Sequence, residues 1–192
     1  MTENKKGPRL VVVLIVILAV IAVIAVAVIA INNNIISLGI TVDKDWSEVK
    51  NQYQRQADLI PNLISTTKGY MQFEASLFTN LTAAQTQWQS ALTQSEAQQD
   101  RAGVALSTTI GQFLLTFANY PELKSITAVQ TLMDELAGAQ NRIAVARTRY
   151  IDAIGAYNTA VQTFPGSLFG FSKREFYQGS VGNENTPIVT FP

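Results

Sequence analysis

The chain has no cysteine and no histidine. Without cysteine there is no disulfide framework, no thiolate nucleophile and no acceptor for a lipoprotein anchor. Without histidine there is no imidazole base and no His-containing zinc or copper site. Charge is sparse and balanced, 14 Lys and Arg against 14 Asp and Glu, and residues 32–192 hold 11 cations against 13 acids. A basic patch of the kind that binds nucleic acid is therefore missing. No Gly-rich phosphate loop and no Gly-x-Ser-x-Gly elbow occurs. Asp134 and Glu135 are adjacent, so on a helix they point about 100° apart, a poor geometry for one metal. No catalytic residue, cofactor-binding residue or metal ligand is assigned, and the expectation is a protein that is not an enzyme.

What is abundant is apolar and concentrated at the start. Leu10 to Ile31 is an unbroken run of Leu, Val, Ile and Ala, with no polar side chain, no Gly and no Pro. At about 1.5 Å per residue the run reaches roughly 33 Å as a helix, enough for a hydrocarbon core of about 30 Å. Its β-branched residues do not argue for a strand, because a lone strand in lipid leaves its backbone unpaired. Leu10, Leu18 and Ile31 mark the start, middle and end of this anchor. The competing reading is a cleaved secretory signal: Lys5, Lys6 and Arg9 form a positive flank, and Ala25-Val26-Ala27 fits a small-x-small cut. Against it, a signal core is usually about 7–15 residues, and this run stays apolar past the cut.

Three cations precede the run, whereas Asp43, Asp45 and Glu48 outweigh Lys44 and Lys50 after it, so the positive-inside rule places residues 1–9 in the cytoplasm and the remainder outside. Small residues at 19, 22, 25, 27 and 30 include no pair spaced by four. The anchor thus offers no small-xxx-small dimer motif, and any assembly must come from the rest of the chain.

Residues 32–40, with Asn32-Asn33-Asn34 and Gly39, read as a polar juncture. Helical pattern is expected from Thr41 to Phe164. Its first seam steps by four and three through Val42, Trp46, Val49, Tyr53, Ile60, Leu63, Tyr70, Leu77, Leu81, Ala84, Trp88 and Ala91, with Gln56, Thr67 and Glu74 as exceptions. Asp43, Asp45 and Glu48 then fall in first turns, where acids suit the helix dipole. Pro61 predicts a kink or break around Leu59 to Asn62. Residues 93–102 lose the seam and read as a helix end with a turn. A second seam runs through Leu106, Ile110, Phe113, Phe117 and Tyr120 to Pro121. A third runs through Ile126, Val129, Met133, Leu136, Ile143, Tyr150, Ile154, Tyr157, Val161 and Phe164, interrupted by Gln140 and Arg147.

Residues 165–192 form an irregular tail with Gly166, Gly170, Gly179, Gly182 and Pro187. Its aromatics, Phe169, Phe171, Phe176 and Tyr177, either pack back on the helices or lie on a membrane, and few cations accompany them. The fold class is all-α: a single N-terminal transmembrane helix followed by an elongated antiparallel bundle of long amphipathic helices.

Three stretches carry a resemblance. The first is Asp45-Trp46-Ser47-Glu48-Val49 leading into Asn51-Gln52-Tyr53-Gln54-Arg55-Gln56-Ala57-Asp58-Leu59-Ile60-Pro61-Asn62-Leu63, then Lys68-Gly69-Tyr70. The second is Tyr120-Pro121-Glu122-Leu123-Lys124. The third is Asn141-Arg142-Ile143-Ala144-Val145-Ala146-Arg147, followed by Tyr157-Asn158 and Phe164-Pro165. In order and spacing, from about residue 35 to 171, they resemble the LemA family of prokaryotic membrane proteins. The resemblance implies a bacterial or archaeal membrane location, one span, a helical domain and no assigned enzymatic activity. It also implies ties to membrane biogenesis, magnetosome membranes included, or to neighbouring membrane proteases. Gln140 stands where the family often has Glu, and Ile151 where it often has Asn, which weakens any retained acidic site.

Charges on an apolar seam need a partner or water. Glu74 and Arg147 are expected either to pair across the bundle or to snorkel from its edge. Arg55, Asp58 and Asn62 share one side of a helix at spacings of three and four. They either support their own helix near the proline or form a contact surface for a second copy or another protein. The function expected is a membrane-anchored, non-catalytic scaffold. It would self-associate or bind membrane proteins beside the lipid bilayer, so that many copies held in one plane gain effective concentration. The alternative is an adaptor or sensor for a membrane protease or signalling partner. No cofactor and no nucleic acid is expected.

Overall fold

In the computed structural model the described residues are 7–71 and 74–176, with the side chains of residues 7–10 and 124 outside that description. Lys5, Lys6, Tyr177, Gly179, Gly182 and Pro187 therefore lie outside the described residues, as do the side chains of Arg9 and Leu10. Among the described residues there are four α-helices and no strand: α1 (Gly7–Thr67), α2 (Ala75–Ala91), α3 (Glu96–Phe117) and α4 (Thr127–Gln162). Short 3-10 turns occupy Leu123–Ser125 and Gly166–Phe169. The all-α expectation holds.

The chain divides into two units, residues 1–42 with 153–174 and residues 43–152 with 175–192. In the second, α1 and α4 run antiparallel, with Trp46 and Tyr150 rings 5.2 Å apart and Arg147 reaching Tyr53. Helix α2 returns along α1: the Trp88 indole donates to Gln54 Oε1 at 3.0 Å and Gln85 reaches Ala57. Helix α3 runs with α1 and against α4, since Ser107 donates to Gln56 Oε1 and its carbonyl accepts from Gln140. The result is an up-down-up-down four-helix arrangement. Val49, Tyr53, Ile60, Leu63, Leu81, Trp88, Leu106, Ile110, Phe113 and Leu136 fill its core. The seam residues are buried because helical spacings of three and four put them on one stripe.

Four expectations about boundaries are corrected. First, residues 32–40 are not a separate juncture: α1 continues through them. The Asn residues extend a helix whose nucleation cost is already met, and Gly39 lies against the Tyr157 ring, 3.5 Å from where a Cβ would stand. Asp43, Asp45 and Glu48 are consequently mid-helix, far from the amino-terminal dipole.

Second, α1 does not break at Pro61. Proline withholds the N–H that would bond the carbonyl four residues back, Ala57 O. The Gln85 amide from α2 supplies the missing donor at 3.0 Å. An unmet buried carbonyl costs about 1–3 kcal/mol, so Gln85→Leu is expected to lose that much. It should lose little in a Pro61→Ala background, where the backbone donor is restored. Denaturant titrations of the four proteins in this cycle would show the coupling, and equal losses in both backgrounds would rule it out.

Third, the first seam is interrupted after Thr67, where α1 ends, and Tyr70 beyond it is exposed rather than buried.

Fourth, α3 begins at Glu96, inside the stretch read as a turn. Its start is a capping box in which Gln98 Oε1 accepts from the Ser95 N–H at 3.2 Å, a Ser-x-x-Gln signal that was present in the sequence. At the far end of the third seam, Phe164 lies beyond α4 and is exposed.

In the first unit, the described side chains of the apolar run face outward, Leu18 at 70% exposure, whereas Ile31 is half-buried and Ile35 buried. Residues 170–174 pack back onto α4. Asn158 Nδ2 donates to Arg174 O and Asn158 Oδ1 accepts from Arg174 N, both at 2.8 Å, while the Tyr157 hydroxyl donates to Ser172 O at 3.2 Å. For this part of the tail, packing on the helices is the outcome.

Candidate functional site

The polar groups in the second unit's core gather around Arg147 on α4. Its Nη1 donates to the Tyr53 hydroxyl of α1 at 2.9 Å and forms a hydrogen-bonded ion pair with Asp100 of α3. The side chains are 14% and 3% exposed respectively. One guanidinium therefore ties three helices together. Burial raises the Asp100 carboxyl above its ordinary range and outweighs the pull of Arg147. Burial likewise pushes the Tyr53 hydroxyl up to about 12, so it stays neutral.

Farther along the same helices, Gln56 Oε1 accepts from Ser107 Oγ at 2.8 Å, and Gln140 Nε2 donates to Ser107 O at 2.9 Å. The seam exceptions Gln56 and Gln140 thus meet through Ser107, about two turns of α4 away from Arg147 and its partner Asp100.

This corrects the expected partnership of Glu74 with Arg147. Glu74 stands before α2, where its Oε1 accepts from the Tyr120 hydroxyl at 3.1 Å. Asp100 was missed because its segment lacks the apolar seam, and Ser95-x-x-Gln98 was the signal that places it on a helix.

Helix α3 approaches α1 closely at Gly103. A Cβ on Gly103 would stand 2.5 Å from the Tyr53 ring, itself buried and 5.3 Å from Trp88. Gly103→Ala is expected to destabilise by about 1–3 kcal/mol through overpacking, against the helix-propensity gain of about 1 kcal/mol. Thermal melts followed by tryptophan fluorescence would test the sign; a stabilised variant would contradict the close approach.

Arg55, Asp58 and Asn62 are all exposed along one side of α1. Asp58 Oδ1 accepts from Gln54 Nε2 at 2.7 Å, and the Asn62 carbonyl accepts from Ser65 and Thr66 hydroxyls. The face is therefore open to solvent in this chain. Two Ser-x-x-Lys spacings also occur, Ser47 with Lys50 on α1 and Ser65 on α1 with Lys68 just past its end. Both hydroxyls donate to carbonyls of their own helix, Asp43 O and Asn62 O, each at 2.9 Å, which is poor placement for a nucleophile. Among the described residues no group of three or more acids is positioned to hold a metal.

At the amino-terminal end, α1 is long and apolar enough to cross a membrane, with its most apolar window unburied. Leu18 and its neighbours face outward there, as a lipid-facing helix requires.

Comparison with known proteins finds relatives of the chain. The magnetosome proteins MamQ 1 and MamQ 2 of Paramagnetospirillum magneticum strain AMB-1 are each 24% identical to the chain over 183 residues, spanning 79% of this chain and 67% of the relative. Residues 45–191 match the LemA family. The match starts past the apolar run and covers the α1 segment with Tyr53, all of α2 to α4, and most of the tail. It is therefore the bundle and tail that carry the kinship, and on them the chain belongs to the LemA family.

Proposed function

We propose that this protein is a membrane-tethered helical scaffold without catalytic activity, which organises the adjoining membrane by associating with its own copies or with membrane proteins. One observation carries the reading: an outward-facing apolar helix continues without a break into a helix of the four-helix unit. The exposed Arg55, Asp58 and Asn62 face supplies polar contacts for lateral association, while the ion pair behind it serves packing. The membrane is a prokaryotic cell membrane, with the N-terminus cytoplasmic and the bundle extracytoplasmic; protease shaving of intact cells tests that orientation.

Detergent-extracted protein is expected to run as an oligomer in size-exclusion chromatography with light scattering, and to form regular assemblies in lipid by electron microscopy. Arg55→Ala with Asp58→Ala should leave the monomer folded and reduce assembly. A strict monomer with no crosslinked neighbour would sink the scaffold reading. Stoichiometric recovery of a different protein from native membranes would replace it with the adaptor reading.

A further inference from the structure

The end of α4 approaches the membrane-spanning run. Within the first unit, Tyr157 lies against Gly39 and Gly166 against Ile35, whose Cδ1 is 3.4 Å from where a Gly166 Cβ would stand. As α4 and its following turn advance, their contacts on α1 retreat toward Ile31. Ile31, the last residue of the apolar run, is itself half-buried, so the covering chain reaches the end of the span. Ile35 is only about 6 Å beyond Ile31 at 1.5 Å per residue. The headgroup layer on each side of the hydrocarbon is about 5–7 Å deep. Gly166 therefore stands at headgroup level.

Two large apolar side chains flank Gly166. Phe164 is 81% exposed and Leu168 75%, both more exposed than Leu18 in the membrane run. Their setting is fixed rather than loose. The Ala160 carbonyl comes so close to Gly166 that a Cβ there has no room. Beyond the turn, Asn158 grips both backbone groups of Arg174, whose guanidinium lies 5.6 Å from the Tyr157 ring centroid. The segment 153–174 contains no acid; its cations are the exposed Lys173 and the half-buried Arg174, with the exposed Glu175 directly after them. A turn bearing an exposed Phe and an exposed Leu, with two cations against one acid nearby, has the chemistry of an interfacial lipid contact.

We propose that the turn Phe164–Phe169 is a second membrane contact, with Phe164 and Leu168 seated at the headgroup–acyl boundary beside the emerging α1. The occupant is the bilayer surface, continuous with the lipid around the span. The inference rests on the membrane reading of Leu10–Ile31, and its test separates the two.

Because the chain has no cysteine, single sites can be labelled in the full-length protein. Phe164→Cys, Leu168→Cys, Val23→Cys in the span and Ser90→Cys on the exposed side of α2 would each carry a nitroxide, in vesicles of phosphatidylcholine and phosphatidylglycerol. Power saturation with oxygen and with a nickel chelate then reports depth. Labels at 164 and 168 are expected to favour oxygen over nickel several-fold, between the values at 23 and 90. If both match the water-exposed label at 90 while the label at 23 reads lipid, the lipid contact is overturned and the anchor stands. A label at 23 that reads water overturns both. Low access to both reagents at 164 and 168 that disappears on dilution into excess lipid would mean a second copy of the chain covers the turn, and would also overturn the proposal.

Discussion

Removing either member of the Arg147–Asp100 pair is expected to destabilise the four-helix unit by about 3–5 kcal/mol, because the other is left charged and buried. Asp100→Ala should fall at the lower end, since Arg147 keeps an edge in solvent and the Tyr53 hydroxyl as acceptor. Replacing both at once, Asp100→Leu with Arg147→Met, should be far milder and is expected to match or exceed the native stability. Desolvation of two charges often exceeds their attraction, and apolar replacements of similar volume commonly stabilise by about 1–4 kcal/mol. Both tryptophans lie in this unit's core, so urea titrations followed by their fluorescence would read all four proteins. Additive losses in the double variant would contradict this account.

The same balance fixes a sign for pH. Burial holds the Asp100 carboxyl above its ordinary range even beside Arg147, so the folded chain takes up that proton more readily than the unfolded chain. The resulting contribution is fully present below the unfolded carboxyl value of about 3.9. It is lost as pH rises through the higher folded value. The native chain should therefore lose stability relative to Asp100→Asn on going from acid toward neutrality. A gap that moves the other way would mean the ion pair wins over burial.

The second large effect concerns the anchor. Leu18→Arg and Ile21→Arg each place a charge near the middle of the run, at a cost of about 2.5–3.5 kcal/mol per residue for insertion. Together they are expected to move a major fraction of the protein into the supernatant after carbonate extraction, whereas Leu18→Ala should leave it in the membrane. The bundle would remain folded, because these side chains face outward and support no core. Continued carbonate resistance of the double Arg protein would show that the run is not what holds the chain to lipid.

Much of the bundle was legible in the sequence, and the places where it was not share a cause. Trp46, Tyr53, Trp88, Phe113 and Tyr150 were on the predicted seams and are buried, because helical periodicity is a local property. Pro61 predicted a break that does not occur because the compensating donor, Gln85, comes from another helix. Arg147 was correctly read as a charge on an apolar seam. Its counter-ion was not found, since Asp100 sits in a polar stretch whose only helical signal was a capping box. The C-terminal turn was read by composition as irregular. That Asn158 would clasp the backbone of Arg174, and that Phe164 would stand exposed next to the end of the span, no spacing could show.

By itself, the sequence determined that an apolar segment of membrane length leads the chain, that amphipathic helices follow, and that cysteine and histidine chemistry is absent. These depend on side-chain type and on the fixed repeat of a helix, both written locally. Only the tertiary structure decided which helix satisfies the carbonyl freed by Pro61, which acid meets Arg147, and which end of α4 comes back to the span. Those outcomes depend on buried donors, acceptors and charges that must find one another in space, where the nearest partner is often far along the chain.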